Sequence, residues 1–438
     1  MKIRKFSTKT RDFIKNSGWM IFNRIYQMIF SLIVGSLTAR YLGPSNYGII
    51  NYGLSYVNIF NTICALGLEG VIVKRVINKP EEEGTLIGTS ILLRAIVSVL
   101  SIIGLIIFFY VSPSDKVTKV VILIQSISLI FNIYEIIELW LQAKLMSKYA
   151  TISRCIAITC VGIWKITMLV LNVSVEFFAF TTIIESLVIL VGLSITYIKL
   201  KGPKLQIKLG LTKTILQEGA QFLLSSLCII IYTRMDKIML GAFIDNASVG
   251  TYSASLTISE LWQFIPMAIV NSSRPLLLQY KNEDEKKYVE RIKLVYSIII
   301  YMGLIVAGGI TIFGKIAIRI LYGEEYLAAF IPLLILVWAS IFAVLGSART
   351  TWLITENKEK YLKIFVLIGA ILNLLLNYML IKTFTIVGVA IATLIAQVAV
   401  AILVPLIFKE TRISTVHILQ AINPIPIIKK YKLKKETI

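Results

Sequence analysis

The chain has 438 residues, of which 57% are hydrophobic and 16% charged, and its mean hydropathy is +0.81. Ordinary soluble domains carry about 25% charged residues, so most of this chain has lipid as its solvent. The same numbers exclude disorder, and four cysteines exclude a disulfide scaffold. The formal charge of +21 would suit nucleic acid or the cytoplasmic loops of a multispanning protein, and its distribution along the chain decides between them.

A helix crossing about 30 Å of hydrocarbon needs about 20 apolar residues. Such stretches fall at 17–39, 49–72, 85–110, 117–139, 151–171, 177–198, 214–241, 249–275, 294–313, 327–351, 364–381 and 386–408. Twelve spans are expected, in an all-α polytopic fold. Turn chemistry separates them at Gly43-Pro44-Ser45-Asn46, Ser112-Pro113-Ser114-Asp115 and Lys201-Gly202-Pro203, with a charged run at Asn282–Lys287. The first stretch is of spanning length and lacks a small-residue cleavage site, so it reads as a span and not as a removed signal peptide.

Of the 45 Lys and Arg, 32 fall on the side of the two termini and six on the other: Arg40, Lys116, Lys119, Lys315, Arg319 and Lys382. This asymmetry places both termini in the cytoplasm of a cell-membrane protein. It explains the basic charge without nucleic acid. Beyond the last span, His417–Ile428 is apolar, broken by Pro424 and Pro426, and followed by five lysines; it is expected to lie on the anionic inner leaflet. The cysteines have no ligand spacing and the one histidine lies in this tail, so no metal or haem site is expected.

The external loops are short, which leaves no acceptor domain for an enzyme acting on lipid-linked sugars. No Gly-x-x-x-x-Gly-Lys-Ser/Thr loop is present, so the chain is not its own ATPase. Transport leads. The expected organisation is a cytoplasmic tail (1–16), a six-helix lobe (17–199), a cytoplasmic linker (200–213), a second six-helix lobe (214–408) and a basic tail (409–438). Tyr47-Gly48 opening span 2 and Val249-Gly250-Thr251-Tyr252 opening span 8 hint at a repeat.

Several spans carry polar stripes at helical spacing. Span 1 has Arg24, Gln27, Ser31, Gly35 and Thr38; span 2 has Asn51, Ser55, Asn58 and Thr62; span 4 has Gln125, Ser128, Asn132 and Glu135. Span 7 follows with Gln221, Ser225, Cys228, Tyr232 and Asp236. Span 8 runs from Ser253 to Arg274, with a kink expected at Pro266. Such residues line a wet path or glue helices together in lipid.

The run Ala39-Arg40-Tyr41-Leu42-Gly43-Pro44-Ser45-Asn46-Tyr47-Gly48 resembles the first external turn of the polysaccharide flippases of the multidrug/oligosaccharidyl-lipid/polysaccharide exporter superfamily. So do Tyr232–Gly241 in span 7, Val249–Ala254, Leu321–Tyr326 and Asn373–Ala392, in order along the chain. The resemblance implies two six-helix lobes around a central cavity. It implies a flippase that moves undecaprenyl-diphosphate-linked oligosaccharides from the inner to the outer leaflet for surface polysaccharide synthesis. Alternating access would be driven by a proton, Na⁺ or voltage gradient and would need no cofactor. Glycan polymerases or glycosyltransferases are the expected partners.

A charge at mid-bilayer costs at least ~2.5–3.5 kcal/mol on insertion scales, so intramembrane cations suit an anionic headgroup. The expected substrate-binding residues are Arg24, Arg40, Arg94, Lys165, Arg234, Arg274 and Arg349, with Arg favoured for its fork of donors to phosphate. Asp236, Glu260, Glu135 and Glu185 are the expected ion-coupling or charge-pairing carboxylates. A cation-coupled drug antiporter of the same fold, and a membrane enzyme acting on lipid-linked sugars, are the competing readings.

Overall fold

The structure, a computed structural model, describes residues 8–423, with side chains from Gly18 onward. Its helices are α1 (Thr8–Ala65), α2 (Leu68–Asn78), α3 (Glu83–Val111), α4 (Lys116–Ser126), α5 (Ser128–Phe131), α6 (Tyr134–Ala143), α7 (Ser147–Val170), α8 (Val175–Ala179) and α9 (Thr181–Lys199). There follow α10 (Leu209–Phe243), α11 (Asn246–Glu260), α12 (Phe264–Glu283), α13 (Glu285–Leu321), α14 (Phe330–Thr355), α15 (Lys360–Val398), α16 (Val404–Ile407) and α17 (Arg412–Ala421).

Among the described residues, eight helical stretches are long and apolar enough to cross a membrane, or nine if the bent pair α4–α5 and α6 is one span. Two of the eight are double. Gly43 (φ 68°) breaks α1, and Thr385 (φ 49°) breaks α15. The break in α1 is a single residue where a longer turn was expected. Pro44 then opens the new segment, where its missing N–H and fixed φ cost nothing. Counting both halves of α1 and of α15, the bent pair, and the broken α11–α12, which falls short of that length or apolarity, gives twelve helical segments in the order of the twelve expected spans.

That last break is displaced from its expected place. The chain narrows to a 3₁₀ turn at Leu261–Gln263, and Pro266 sits in the first turn of α12, where no helical donor is lost. The proline inside α12 is Pro275.

Beside its apolar core, the bundle buries polar residues and exposes large apolar ones. On α3 the buried positions include Ser90, Arg94, Ser98 and Ser101, while Ile96, Leu100, Ile103 and Ile107 are exposed. Lipid solvates the large apolar side chains, so small and polar residues take the helix contacts.

The chain forms two compact units, the first ending at Ile238 and the second beginning at Met239. In the first, α1 packs on α7 and α4, and α7 packs on α9. One core cluster joins Leu68, Ile72, Leu86, Ile136, Leu141 and Ile215. In the second, α14 packs against α11, α12, α13 and α15, and Tyr296, Val337 and Trp352 lie in its core.

The described part of the tail is helical and packed against the second unit. Helix α17 docks on the second unit: Ser297 donates to the Ala421 carbonyl (2.7 Å) and Tyr301 to the Ile422 carbonyl (2.8 Å). His417 is buried, while Ile413, Val416, Leu419 and Ile422 remain exposed. Residues 424–438, with the expected lysine cluster, lie outside the described residues.

Candidate functional site

The first unit holds a polar cavity of about 730 Å³ where α2, α6 and α7 meet, lined among others by Asn61, Glu69, Lys74, Glu135, Glu138 and Arg154. A smaller cavity of about 250 Å³ shares Glu138, Gln142 and Arg154 with it and adds Asn23, Arg24 and Gln27 from α1. Helix direction puts most of these residues at one end of the unit. Arg24 and Arg154 lie early in their helices, and Lys74 and Gln142 lie late in theirs. This is the end that carries the basic connections.

Beneath the larger cavity lies a buried network. Arg94 is 1% exposed, and its Nη2 reaches Glu135 Oε2 at 2.8 Å and Asn61 Oδ1 at 3.1 Å. Asn61 donates to Glu135 Oε1 (3.2 Å), Asn132 donates to Asn61 (2.9 Å), and Ser186 donates to Asn132 (2.8 Å). The residues come from α1, α3, the bend before α6, the first turn of α6, and α9. A lone guanidinium at this depth would be costly; the carboxylate and its amide neighbour pair its Nη2, while its Nε is left without a hydrogen bond.

Glu138 and Arg154 form the wall between the cavities. Arg154 Nε donates to Glu138 Oε1 at 3.0 Å and Nη2 to Oε2 at 2.6 Å, a bidentate fork. The guanidinium lies 5.8 Å from the centroid of the Tyr134 ring. Glu69, in the first turn of α2, faces the larger cavity with no ion pair among the described residues.

Helix α2 is fixed in place by α10. The chain turns through left-handed Leu66 (φ 54°) and Gly67 (φ 68°), which re-aims α2 and presents Glu69 and Lys74 to the cavity. Arg75 then clamps Glu218 of α10 with Nε–Oε2 at 3.1 Å and Nη2–Oε1 at 2.6 Å.

The expected site residues are therefore dispersed. Arg24 is exposed on the smaller cavity, and Arg94 and Glu135 are paired beneath the larger one. Arg40 is exposed three residues before the Gly43 break. Lys165 and Glu185, both half-buried, line neither cavity. Arg234 is half-buried with its Nε unbonded; Asp236 is buried beside Lys237, whose Nζ donates to Asn51 at 3.3 Å. Glu260 and Arg274 belong to the second unit, exposed and half-buried.

Arg349 is turned into the second unit at 1% exposure. It donates to the Val400 carbonyl (3.2 Å), which a π-helical turn at Ala399–Leu403 leaves available, and to Thr415 Oγ1 of α17 (3.1 Å). Sequence reasoning passed over Arg154, Lys74 and Asn61. The two cations lie near helix ends and read as loop charges, and Asn61 stands off the stripe drawn through Asn58.

The chain is similar to known proteins over much of its length. Residues 13–281 match the family described as "Polysaccharide biosynthesis protein". Two relatives from Haloferax volcanii are similar over part of the chain. "Probable low-salt glycan biosynthesis flippase Agl15" is 27% identical over 37% of this chain and 34% of its own length. "Probable flippase AglR" is 30% identical over 39% and 37%. The match thus spans about a third of each relative. Among solved structures, the lipid II flippase MurJ in an inward closed conformation superposes with a TM-score of 0.71 at 17% identity, covering 96% of this chain and 90% of that one. An inward-facing multidrug resistance MATE family transporter gives 0.71 at 13% identity, covering 93% and 96%. This chain is a multispanning membrane protein of the polysaccharide biosynthesis protein family, with the fold of the multidrug/oligosaccharidyl-lipid/polysaccharide exporter superfamily.

Proposed function

We propose that the protein is a flippase that carries a polyprenyl-diphosphate-linked oligosaccharide from the inner to the outer leaflet by alternating access. The observation that carries this reading is the convergence of Arg24, Lys74 and Arg154 on two adjoining cavities at the basic-loop end of a membrane-embedded unit. A diphosphate needs several donors from different helices, and sugar hydroxyls need amides; Asn23, Gln27, Asn61 and Gln142 provide them. The family membership and the flippase names of the relatives support the same class.

In this reading both termini are cytoplasmic, the cavities receive the headgroup from the inner leaflet, and Arg40 meets it near the outer one. The six-helix lobes at 17–199 and 214–408 are the moving parts, and Asp236 and Glu260 are the ion-responsive carboxylates. Glycosyltransferases or a glycan polymerase act beside it. Deleting the gene should make lipid-linked glycan accumulate on the inner leaflet, and the wild-type gene should clear it. A cationic-drug antiporter draws support from unpaired Glu69 and from the MATE-like fold. It predicts instead sensitivity to cationic dyes with no change in lipid-linked glycans.

A further inference from the structure

A cavity meant for a diphosphate holds three carboxylates, Glu69, Glu135 and Glu138, against Lys74 and Arg154. Their pairings differ. Both oxygens of Glu135 are held from within the helix packing, by Arg94 and Asn61, with Arg94 1% exposed. Both oxygens of Glu138 are held by Arg154, with no other partner among the described residues, and the two side chains are 26% and 24% exposed. Opening one fork would free Glu138, whereas freeing Glu135 would strand a buried charge.

A carboxylate and a phosphate present the same pair of acceptors to a guanidinium, at nearly the same N···O distances. Arg154 also packs against the buried Tyr134 ring, so its guanidinium has a support that does not depend on Glu138. A diphosphate arriving beside an undisplaced Glu138 would meet a like charge at contact distance. One that takes the carboxylate's place keeps both hydrogen bonds and removes the repulsion. Lys74 lines the same cavity, has no ion pair among the described residues, and is a cation open to the released carboxylate.

We infer that Glu138 is an internal stand-in for substrate phosphate. It occupies the Arg154 fork in the empty protein and yields it to the diphosphate, which makes Arg154 the residue that grips the headgroup. This inference rests on the flippase reading above. The stand-in keeps the fork ordered and free of small cytoplasmic anions, at the cost of weaker apparent binding by the fraction of time that the fork is open.

The test is calorimetric titration of inorganic pyrophosphate into the full-length protein in nanodiscs of neutral lipid. If the fork is open about a tenth of the time, Glu138→Gln should bind pyrophosphate about tenfold tighter than wild type. Glu138→Asp, charged but too short to keep both bonds, should fall between them. Arg154→Ala should abolish binding in either background. An unchanged or weaker affinity in folded Glu138→Gln, with binding still lost in Arg154→Ala, overturns the stand-in and leaves the headgroup reading standing. Failure of both Glu138 variants to fold would make the pair a structural tie between α6 and α7, and also overturns it. Absence of pyrophosphate binding in wild type and every variant overturns the headgroup reading together with the stand-in.

Discussion

Gly67 and Gly219 pass so closely that a β-carbon on Gly67 would lie 2.1 Å from the Gly219 carbonyl oxygen, and one on Gly219 would lie 2.4 Å from the Leu66 carbonyl oxygen. Gly67 is also left-handed, at φ 68°, where an L side chain costs about 1–2 kcal/mol. Gly67→Ala and Gly219→Ala should each lower the unfolding midpoint in detergent and reduce transport by shifting the α2 wall. Gly104→Ala, with nothing within 4 Å, should leave both unchanged.

Arg94 behaves in this account as a structural cation. Removing one partner of a buried pair costs about 3–5 kcal/mol, so Arg94→Ala should reduce the amount of folded protein. Combining Arg94→Met with Glu135→Leu should recover part of it, since no charge is then left buried. Folded protein at wild-type abundance in Arg94→Ala, with transport lost, would return Arg94 to the substrate.

Arg349 ties α14 to the π-helical turn and to α17. Arg349→Leu keeps bulk but donates nothing, and should raise hydrogen exchange across 412–421 while the exchange of α14 changes little. Equal protection in both proteins would show that the apolar face of α17 is sufficient to dock it.

Docking of α17 should also depend on pH. Burial, and then the nearby Lys293, push His417 down to about 4 from an ordinary value of 6.5, while Glu356 opposes the shift. The folded value lies below the unfolded one, so docking is fully stable above pH 6.5 and weakens as pH falls towards 4. His417→Gln should flatten that loss, measured as exchange of 412–421 between pH 7 and 4.

The orientation gives a separate check. On a background without the four native cysteines, impermeant maleimide applied from outside should label Asn46→Cys and not Asn282→Cys. The opposite pattern would reverse the direction of transport.

Hydropathy placed the twelve crossings because lipid imposes length and apolarity on each one separately. The breaks were partly legible. Pro44 and Gly43 announced theirs, and the Thr385 break falls in the expected gap between 381 and 386, but the positive φ of Thr385 and Leu66 has no local signal. Glu135 was legible as a charge-pairing candidate, but which residue it pairs with was not. Arg94 meets Asn61 and Glu135 through helix packing that no spacing encodes, and Arg349 meets a carbonyl exposed only because a later helix turns π. Arg154 stands only four residues into the expected 151–171 stretch and read as a charge of the basic connection before it; α7 starts at Ser147, which sets it a turn deeper in the helix.

The most direct measurement is flipping by purified protein in proteoliposomes, read as the exposure of a polyprenyl-diphosphate-linked oligosaccharide to an external glycosidase. Wild-type protein should translocate it and should not move a cationic dye. The Arg24→Ala, Arg154→Ala double variant, at normal abundance and with a wild-type unfolding midpoint, should not translocate it. Full activity in that double variant, or wild-type protein that moves the dye and leaves the lipid-linked glycan in place, would contradict the account.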